Sequence, residues 1–403
     1  MSERGCEGRV GVIRKLAPNG DISLHPENRG LALMMQTQSS KLNKNHKLII
    51  AALVLSICLF GLWLYGGQST QPSQHAAIIE NDELLALAAE SQPNPDIYAS
   101  SLVKPGDPLF AGLKALQEGK DDIAVEVFGK MAEDGNTDAM LWYGLTNMGA
   151  GVYGTASAVE WINKAAQQGN LYAMRRLVPA EETLQNCEWY LGKYCDDAWA
   201  DKARESFQQR LQANPDDVLS RYAASMDVDR AAEAAKHKYY APLVYLAKGY
   251  GKSYEDGKLS DEKARKVVSL LIMAANDNFT PAMDLLSSVF APVLGYERAT
   301  YWANRAIKLG NNSVLGILFR NIDEFKINSD RSYLIKALPY VLVQKDFFRD
   351  QSALDVLEYE LDNIGSPITE EELAAAEEKA KRIVEEMTPV IYIDAIYDVE
   401  AYH

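Results

Sequence analysis

Two seventeen-residue stretches, AVEVFGKMAEDGNTDAM (124–140) and AVEWINKAAQQGNLYAM (158–174), constrain this chain more than any other feature. Ala124, Glu126, Gly135 and Ala139 recur as Ala158, Glu160, Gly169 and Ala173, each displaced by 34 residues. A fixed period in the 20–50 range is the mark of stacked supersecondary units, none of which can bury its apolar face alone. Looser copies follow. VVSLLIMAANDNFTPAM (267–283) keeps Ala274, Ala275, Ala282 and Met283, and ATYWANRAIKLGNNSVL (299–315) keeps Ala299, Trp302, Ala306 and Gly310. AAEAAKHKYYAPL (231–243) keeps Ala234, Ala235 and Ala241, and 181–215 is a poorer copy.

The repeated residue types have physical reasons. Alanine on one helix face lets the neighbouring helix approach closely. The aromatic before the paired alanines fills the gap between layers. Glycine ends the helix by taking the left-handed conformation at little cost. From about 105 to 365 nearly everything reads as helix, and no β-branched run alternates as a half-buried strand would. The expected fold is all-α, an α/α-solenoid of stacked helix hairpins, preceded by a single transmembrane helix.

Residues 143–174, YGLTNMGAGVYGTASAVEWINKAAQQGNLYAM, closely resemble the Sel-one-like repeat, a relative of the tetratricopeptide repeat. The family pattern falls on Ala139, Gly144, Gly149, Ala158, Trp161, Ala165, Ala166, Gly169 and Ala173. The likeness is looser over 241–278 and 282–310 and weakest over 175–235, and the glycine of the first-helix turn is displaced in several units. It implies a scaffold that binds proteins or peptides through a concave face. Exported family members can carry a cysteine pair at the spacing of Cys187 and Cys195, which implies a disulfide bracing the weakest unit. Compartment points the same way, because nearby cysteines in an oxidising space usually pair. The competing reading, a zinc site, lacks neighbouring histidines or further cysteines.

The segment LIIAALVLSICLFGLWLY (48–65) runs 18 residues without a charge, about the length that spans a bilayer core. Lys41, Lys44 and Lys47 precede it, and no Lys or Arg follows before Lys104. The positive-inside rule then puts the N-terminus in the cytoplasm and the large C-terminal part across the membrane. A cleaved signal peptide is the alternative, but GLWLYGGQSTQ offers no clear small-x-small site. The compartment reads as the bacterial periplasm, with the chain a single-pass inner-membrane protein; the lumen of the endoplasmic reticulum has the same topology. Two triplets, Asn278-Phe-Thr280 and Asn311-Asn-Ser313, fit the glycosylation acceptor pattern.

The domain reading is therefore a cytoplasmic tail over 1–47, an anchor over 48–66, a linker with a short helix over 67–107, repeats over 108–365, and a capping helix with an acidic, tyrosine-bearing tail over 366–403. Residues 1–33 show no apolar period, and Met34 or Met35 offers an alternative start. Beyond residue 67 there are 33 basic and 52 acidic groups, net −19. So negative a body repels phosphate backbones, which excludes nucleic acid as its partner. In SPITEEELAAAEEKAKRIVEEM (366–387), Thr369 and Glu372 form a capping box, and Leu373, Ala376, Ala380, Ile383 and Met387 share one face. The tail VIYIDAIYDVEAYH then reads as an extended segment packed along the array, or as a peptide for the concave groove or a partner's sheet edge.

Chemistry is sparse. The histidines beyond the anchor, His75, His237 and His403, are scattered, and no nucleophile–base constellation or metal motif accompanies them. GYGKS (249–253) lacks the earlier glycine and preceding strand of a phosphate loop, and reads instead as an inter-helix turn. Besides the scaffold, two functions fit less well: a structural subunit of an envelope motility or secretion complex, and a cell-wall hydrolase.

Overall fold

A computed structural model describes residues 78–148, 151–179, 191–225 and 227–393. They belong to one of the chain's two compact units, Pro72–His403. The expected anchor, 48–66, lies outside the described residues, as does the tail before it. No helix among the described residues is long and apolar enough to cross a membrane.

Every long regular element among the described residues is an α-helix. In chain order they are α1 (Asp82–Glu90), α2 (Phe110–Gln117), α3 (Asp121–Glu133), α4 (Thr137–Asn147), α5 (Gly151–Gln167), α6 (Leu171–Arg176), α7 (Ala198–Ala213), α8 (Val218–Ser225) and α9 (Val228–Lys236). Then follow α10 (Ala241–Glu255), α11 (Asp261–Asn276), α12 (Thr280–Ser287), α13 (Ala291–Leu294), α14 (Tyr296–Lys308), α15 (Val314–Asn328), α16 (Ser332–Asp346), α17 (Ser352–Asn363) and α18 (Glu370–Glu385).

One local device ends a helix in five of the copies. At Gly169 (φ +93°) the Asn170 N–H donates to the Ala165 carbonyl (3.0 Å) and the Gly169 N–H to that of Ala166 (3.0 Å). This pair of bonds closes a helix around a left-handed residue and satisfies carbonyls that have lost their helical partners. The same two bonds recur at Gly135, at Gly310, and where the residue is not glycine at all: Lys238 (φ +65°) and Asn278 (φ +68°). After Gly135 and Gly169 an asparagine then starts the next helix. The Asn136 Oδ1 accepts from the Ala139 N–H (2.8 Å), and the Asn170 Oδ1 from that of Ala173 (2.9 Å). Asn170 also donates to Asp138 (2.7 Å), tying one copy to the next. A two-residue Gly-Asn link thus stops one helix and caps its successor.

Packing follows the small residues. Ala139, Ala158, Ala165, Ala166, Ala173, Ala299 and Ala306 are all buried. Gly144 marks the closest approach of α4 to α5: a Cβ there would stand 2.5 Å from Ile162 Cγ1 and 2.7 Å from the Ala158 carbonyl oxygen. The aromatics divide the work differently from the sequence expectation. Trp161 is only half-buried, edge-on to Tyr143 (centroids 5.6 Å) with Lys164 over its ring. The inter-layer gap is filled from the preceding helix by Trp142, 1% exposed and stacked on Phe128 (6.1 Å). Trp302, in the later copy, is buried.

The side chains form three cores in sequence: one over residues 113–203, a second over 222–309, and a third over 303–380. Three segments depart from the sequence reading. Residues 78–90, expected within a linker, put Ile78, Ile79, Leu84 and Ala88 into the second core, where α1 packs on α11. The turn after it is held by the α11 corner, with Asn94 N–H donating to the Asn276 carbonyl (2.8 Å) and Asn278 Nδ2 to that of Asp96 (2.9 Å). GYGKS is no turn but the interior of α10; Gly251 faces Val289, whose Cγ1 would lie 2.4 Å from an added Cβ. The turn comes later, at Gly257. Both candidate glycosylation asparagines are buried, Asn278 at 2% and Asn311 at 6% exposure, which closes them to modification in the folded chain.

At the far end α18 opens with the capping box. The Glu372 N–H donates to Thr369 Oγ1 (3.2 Å) and the Thr369 N–H to Glu372 Oε2 (3.0 Å). Arg331, ahead of α16, donates from both terminal nitrogens to the Glu372 carboxylate, the Nη2 bond at 2.8 Å. Arg331 first, and the Thr369 N–H next, hold that carboxyl down to about 2. Ala376 and Ala380 are buried against the third core, while Leu373 remains exposed.

Two glycine substitutions test the packing account by opposite signs. Gly144→Ala should cost about 1–3 kcal/mol, because the α4–α5 interface must open for the new methyl. Gly316→Ala, inside α15 with its nearest neighbour at 3.4 Å, should gain roughly 0.5–1 kcal/mol from helix propensity. Urea midpoints of the two variants against the parent chain give the check; equal shifts would remove the close-approach explanation.

Candidate functional site: a seat for an extended segment and its cavity

After α18 the chain turns back as an extended strap, Thr388–Ile393, which runs onto the end of α14. The last carbonyls of α14 need partners, and the strap supplies them: the Thr388 N–H donates to the Lys308 carbonyl (2.8 Å) and the Val390 N–H to that of Leu309 (3.0 Å). Pro389 rests on Gly310, where an added Cβ would fall 2.8 Å from the proline's own. Gly310 therefore has two duties. Its left-handed φ of +79° ends α14, and its missing side chain is the floor under the strap. Sequence reasoning identified the first duty only.

From the opposite side comes Gln117, the last residue of α2. Its Nε2 donates to the Val390 carbonyl (2.9 Å) and its Oε1 accepts from the Tyr392 N–H (3.4 Å). One side-chain amide thus takes the place of a neighbouring strand, bonding the backbone on both sides of Ile391. The same Nε2 lies 3.4 Å from the Gly310 carbonyl, so the turn, the strap and α2 share one polar junction. Tyr98 adds a bond from its hydroxyl to the Pro389 carbonyl (3.4 Å). The strap's apolar side chains are fully buried on either side: Val390 in the second core, Ile391 and Ile393 in the first. Gln117 is itself buried, and no motif marked it in the sequence.

The curl of the array brings α2 to the end of α16 as well. Lys120 lies over the Phe347 ring (4.2 Å), and Arg349 pairs with Asp122 (3.1 Å). Between these ends, the first turn of α12, the face of α10 and the strap lies a cavity of about 520 Å³. Leu116, Val244, Phe279, Leu315, Phe348 and Ile393 provide its apolar wall, and Glu118, Asp284, Gln344, Asp350 and Tyr392 its polar one. Burial raises the Asp284 carboxyl above the usual carboxylate range, against a hydrogen bond from Ser313 and the fields of Lys248 and Arg320. Burial also lowers Arg320 to about 10. Burial alone would raise Asp350 too, but hydrogen bonds from Ser352 and Gln344 bring it below the usual range. Tyr245 and Lys248 stand exposed at the mouth.

Of the residues singled out in the sequence, Gly310 lies directly under the strap, and Trp302 and Ala306 share the core that takes Val390; Ala139, Gly144, Ala158, Trp161, Ala165, Ala166, Gly169, Ala173 and Ala299 build the repeat helices and corners. Cys195 carries a disulfide, and Cys187 lies outside the described residues. No group of three or more His, Cys, Asp or Glu among the described residues could hold a metal ion. His237, the one described histidine, is exposed beside Glu233 (3.3 Å).

No protein-family model and no curated protein matches this sequence. Among solved structures, it is similar to the crystal structure of c5321, a protective antigen present in uropathogenic Escherichia coli strains and displaying an SLR fold. The two are 16% identical with a TM-score of 0.29, over 73% of this chain and 56% of that one.

Two outcomes follow from the seat. Gln117→Ala strips partners from the buried Val390 carbonyl and Tyr392 N–H, and should cost about 1–3 kcal/mol. Amide exchange at Tyr392 should speed up with it, and unchanged exchange there would show that the amide bond carries no weight. Asp284→Asn should stabilise the chain at neutral pH. A carboxyl whose folded pKa is raised loses stability as pH climbs from the unfolded value through the folded one, so the gain over parent should vanish below about pH 4. Melting temperatures measured across that range decide the matter.

Proposed function

We propose that this chain is a membrane-tethered helical-repeat scaffold that holds proteins or peptides on the far, periplasmic side of the membrane. The observation that supports it is the strap seat. A solenoid surface binds its own extended segment by backbone hydrogen bonds, through the α14 carbonyls and Gln117, and buries Val390, Ile391 and Ile393 beside them. Main-chain recognition with apolar pockets is a general way to take an extended peptide. The sequence supplies the tether in residues 48–65 and the compartment in its flanking charge. The Sel-one-like resemblance agrees with a binding role without chemistry, and a Cys187–Cys195 bridge fits the same oxidising compartment.

Site-specific photocross-linking in intact envelopes tests the reading. A cross-linker replacing Tyr245, at the mouth, should trap protein partners, whereas one replacing Glu205, exposed on α7, should not. Several sub-stoichiometric products at Tyr245 mark a scaffold. One stoichiometric membrane complex trapped equally from both positions would favour a structural subunit and sink the groove. Alkaline extraction should leave the parent chain with the membrane and release a variant lacking 48–65; release of both would remove the tether.

A further inference from the structure

We propose that the cavity beside the strap binds a protonated primary amine carried on an apolar body, as in a free diamine or the lysine side chain of a bound peptide. The inference stands on the wall of the cavity and does not need the scaffold reading. Its volume, about 520 Å³, falls in the range of small-ligand sites. Leu116, Val244, Phe279, Leu315, Phe348 and Ile393 would take a methylene chain.

The polar wall asks for donors. Gln344 is 0% exposed, and its Nε2 donates to the Asp350 carboxylate, which fixes the amide's orientation. Its Oε1 is then a buried acceptor without a partner. A buried acceptor left unsatisfied is costly, and only a group bearing N–H or O–H relieves it. The charged lining has the same sense. Glu118, Asp284 and Asp350 are acidic, and Lys248 is the lone cation among the lining residues. Glu118 is already matched by Lys114 (2.9 Å) and Lys120 (2.7 Å), and Asp284 feels Lys248 and Arg320, so the negative charge left to a ligand belongs first to Asp350 and only in part to Asp284. Lys248 stands exposed at the mouth, where a flexible ammonium competes with the incoming one instead of binding it.

Tyr392 and Ile393 make one wall of the cavity, so the site is complete only with the strap seated. A ligand that touches that wall favours the seated strap by its differential affinity for the two states.

Calorimetric titration of the full chain with four probes tests the proposal: 1,5-diaminopentane, a blocked Ala-Lys-Ala peptide, hexanoate and 1-hexanol. At least one of the two amines should bind saturably at one site, and hexanoate and hexanol should not. Binding by the diamine alone identifies a free amine as the ligand; binding by the peptide alone identifies a partner's lysine. Asp284→Asn and Gln344→Leu should each weaken the amine about tenfold or more. Lys248→Met should leave binding intact or tighten it, and the amine should slow Tyr392 amide exchange. The isosteric Asp284→Asn and the surface Lys248→Met keep the test decisive if Gln344→Leu fails to fold. Absence of amine binding by the folded parent chain, or preferred binding of hexanoate that Lys248→Met abolishes, would overturn the proposal. Neither result touches the cross-linking outcome at Tyr245.

Discussion

The structure depends on one hydrogen bond repeated along the chain: the N–H just past a left-handed residue donating back to a carbonyl five positions earlier. At 135, 169, 238, 278 and 310 this bond fixes where a helix stops and in which direction the next one leaves. A helix hairpin has too little apolar surface to stand alone, so everything else rests on these corners delivering each hairpin onto its neighbour at the right angle. The corner tolerates a side chain where a local gain offsets the strain. Asn278 holds the left-handed conformation and uses its amide to fasten the turn after α1. Lys238 holds it while pairing with Asp277 (3.1 Å). In these two copies the glycine of the pattern is replaced, and the likeness is looser than over 143–174.

That explains how much of the fold was legible. Paired alanines with glycine or its substitute four residues on are a local pattern, and local patterns read well from sequence. Helix identity and the stacking class followed from Ala165, Ala166 and Gly169. The capping box of Thr369 and Glu372 was legible for the same reason: both partners lie within one turn. What escaped was set by long-range neighbours. Residues 78–90 look like a short amphipathic helix in a linker because their partner, α11, is about 180 residues away. GYGKS looked like a turn because glycine usually breaks helices, whereas Gly251 is there to let Val289 approach. Trp161 carried the family's signature, yet the deeper aromatic is Trp142, stacked on Phe128 of the preceding helix.

The functional surface was less legible than the fold. Gln117 lies in FAGLKALQEGK, an ordinary helix end, and nothing in its neighbours announces that it holds residues 390 and 392. The signal would have been a polar side chain on an otherwise apolar face: Gly112, Leu113, Ala115 and Leu116 surround it in the same helix, and all are buried. A lone glutamine among them must find partners inside, which marks it for a structural or recognition role. The tail could be read further. VIYI is too apolar to stay in water, so an extended segment packed along the array was the natural expectation, and residues 388–393 follow that course.

The strap joins what the repeats alone leave separate. Val390 belongs to the second core and Ile391 and Ile393 to the first, so two layers of the array share a single extended segment. A surface able to capture extended backbone this way has the chemistry to bind a peptide from elsewhere, but its own segment arrives at the high effective concentration of a tethered chain. A free peptide must overcome that advantage to take the same place. The cavity next to the strap faces no such competitor. Its mouth is open between Tyr245 and Lys248, and its wall includes the strap instead of excluding it. On the proposal of an amine site, recognition at this end of the array is therefore easier for a group that adds to the seated strap than for one that must displace it, and the strap serves that site as a wall.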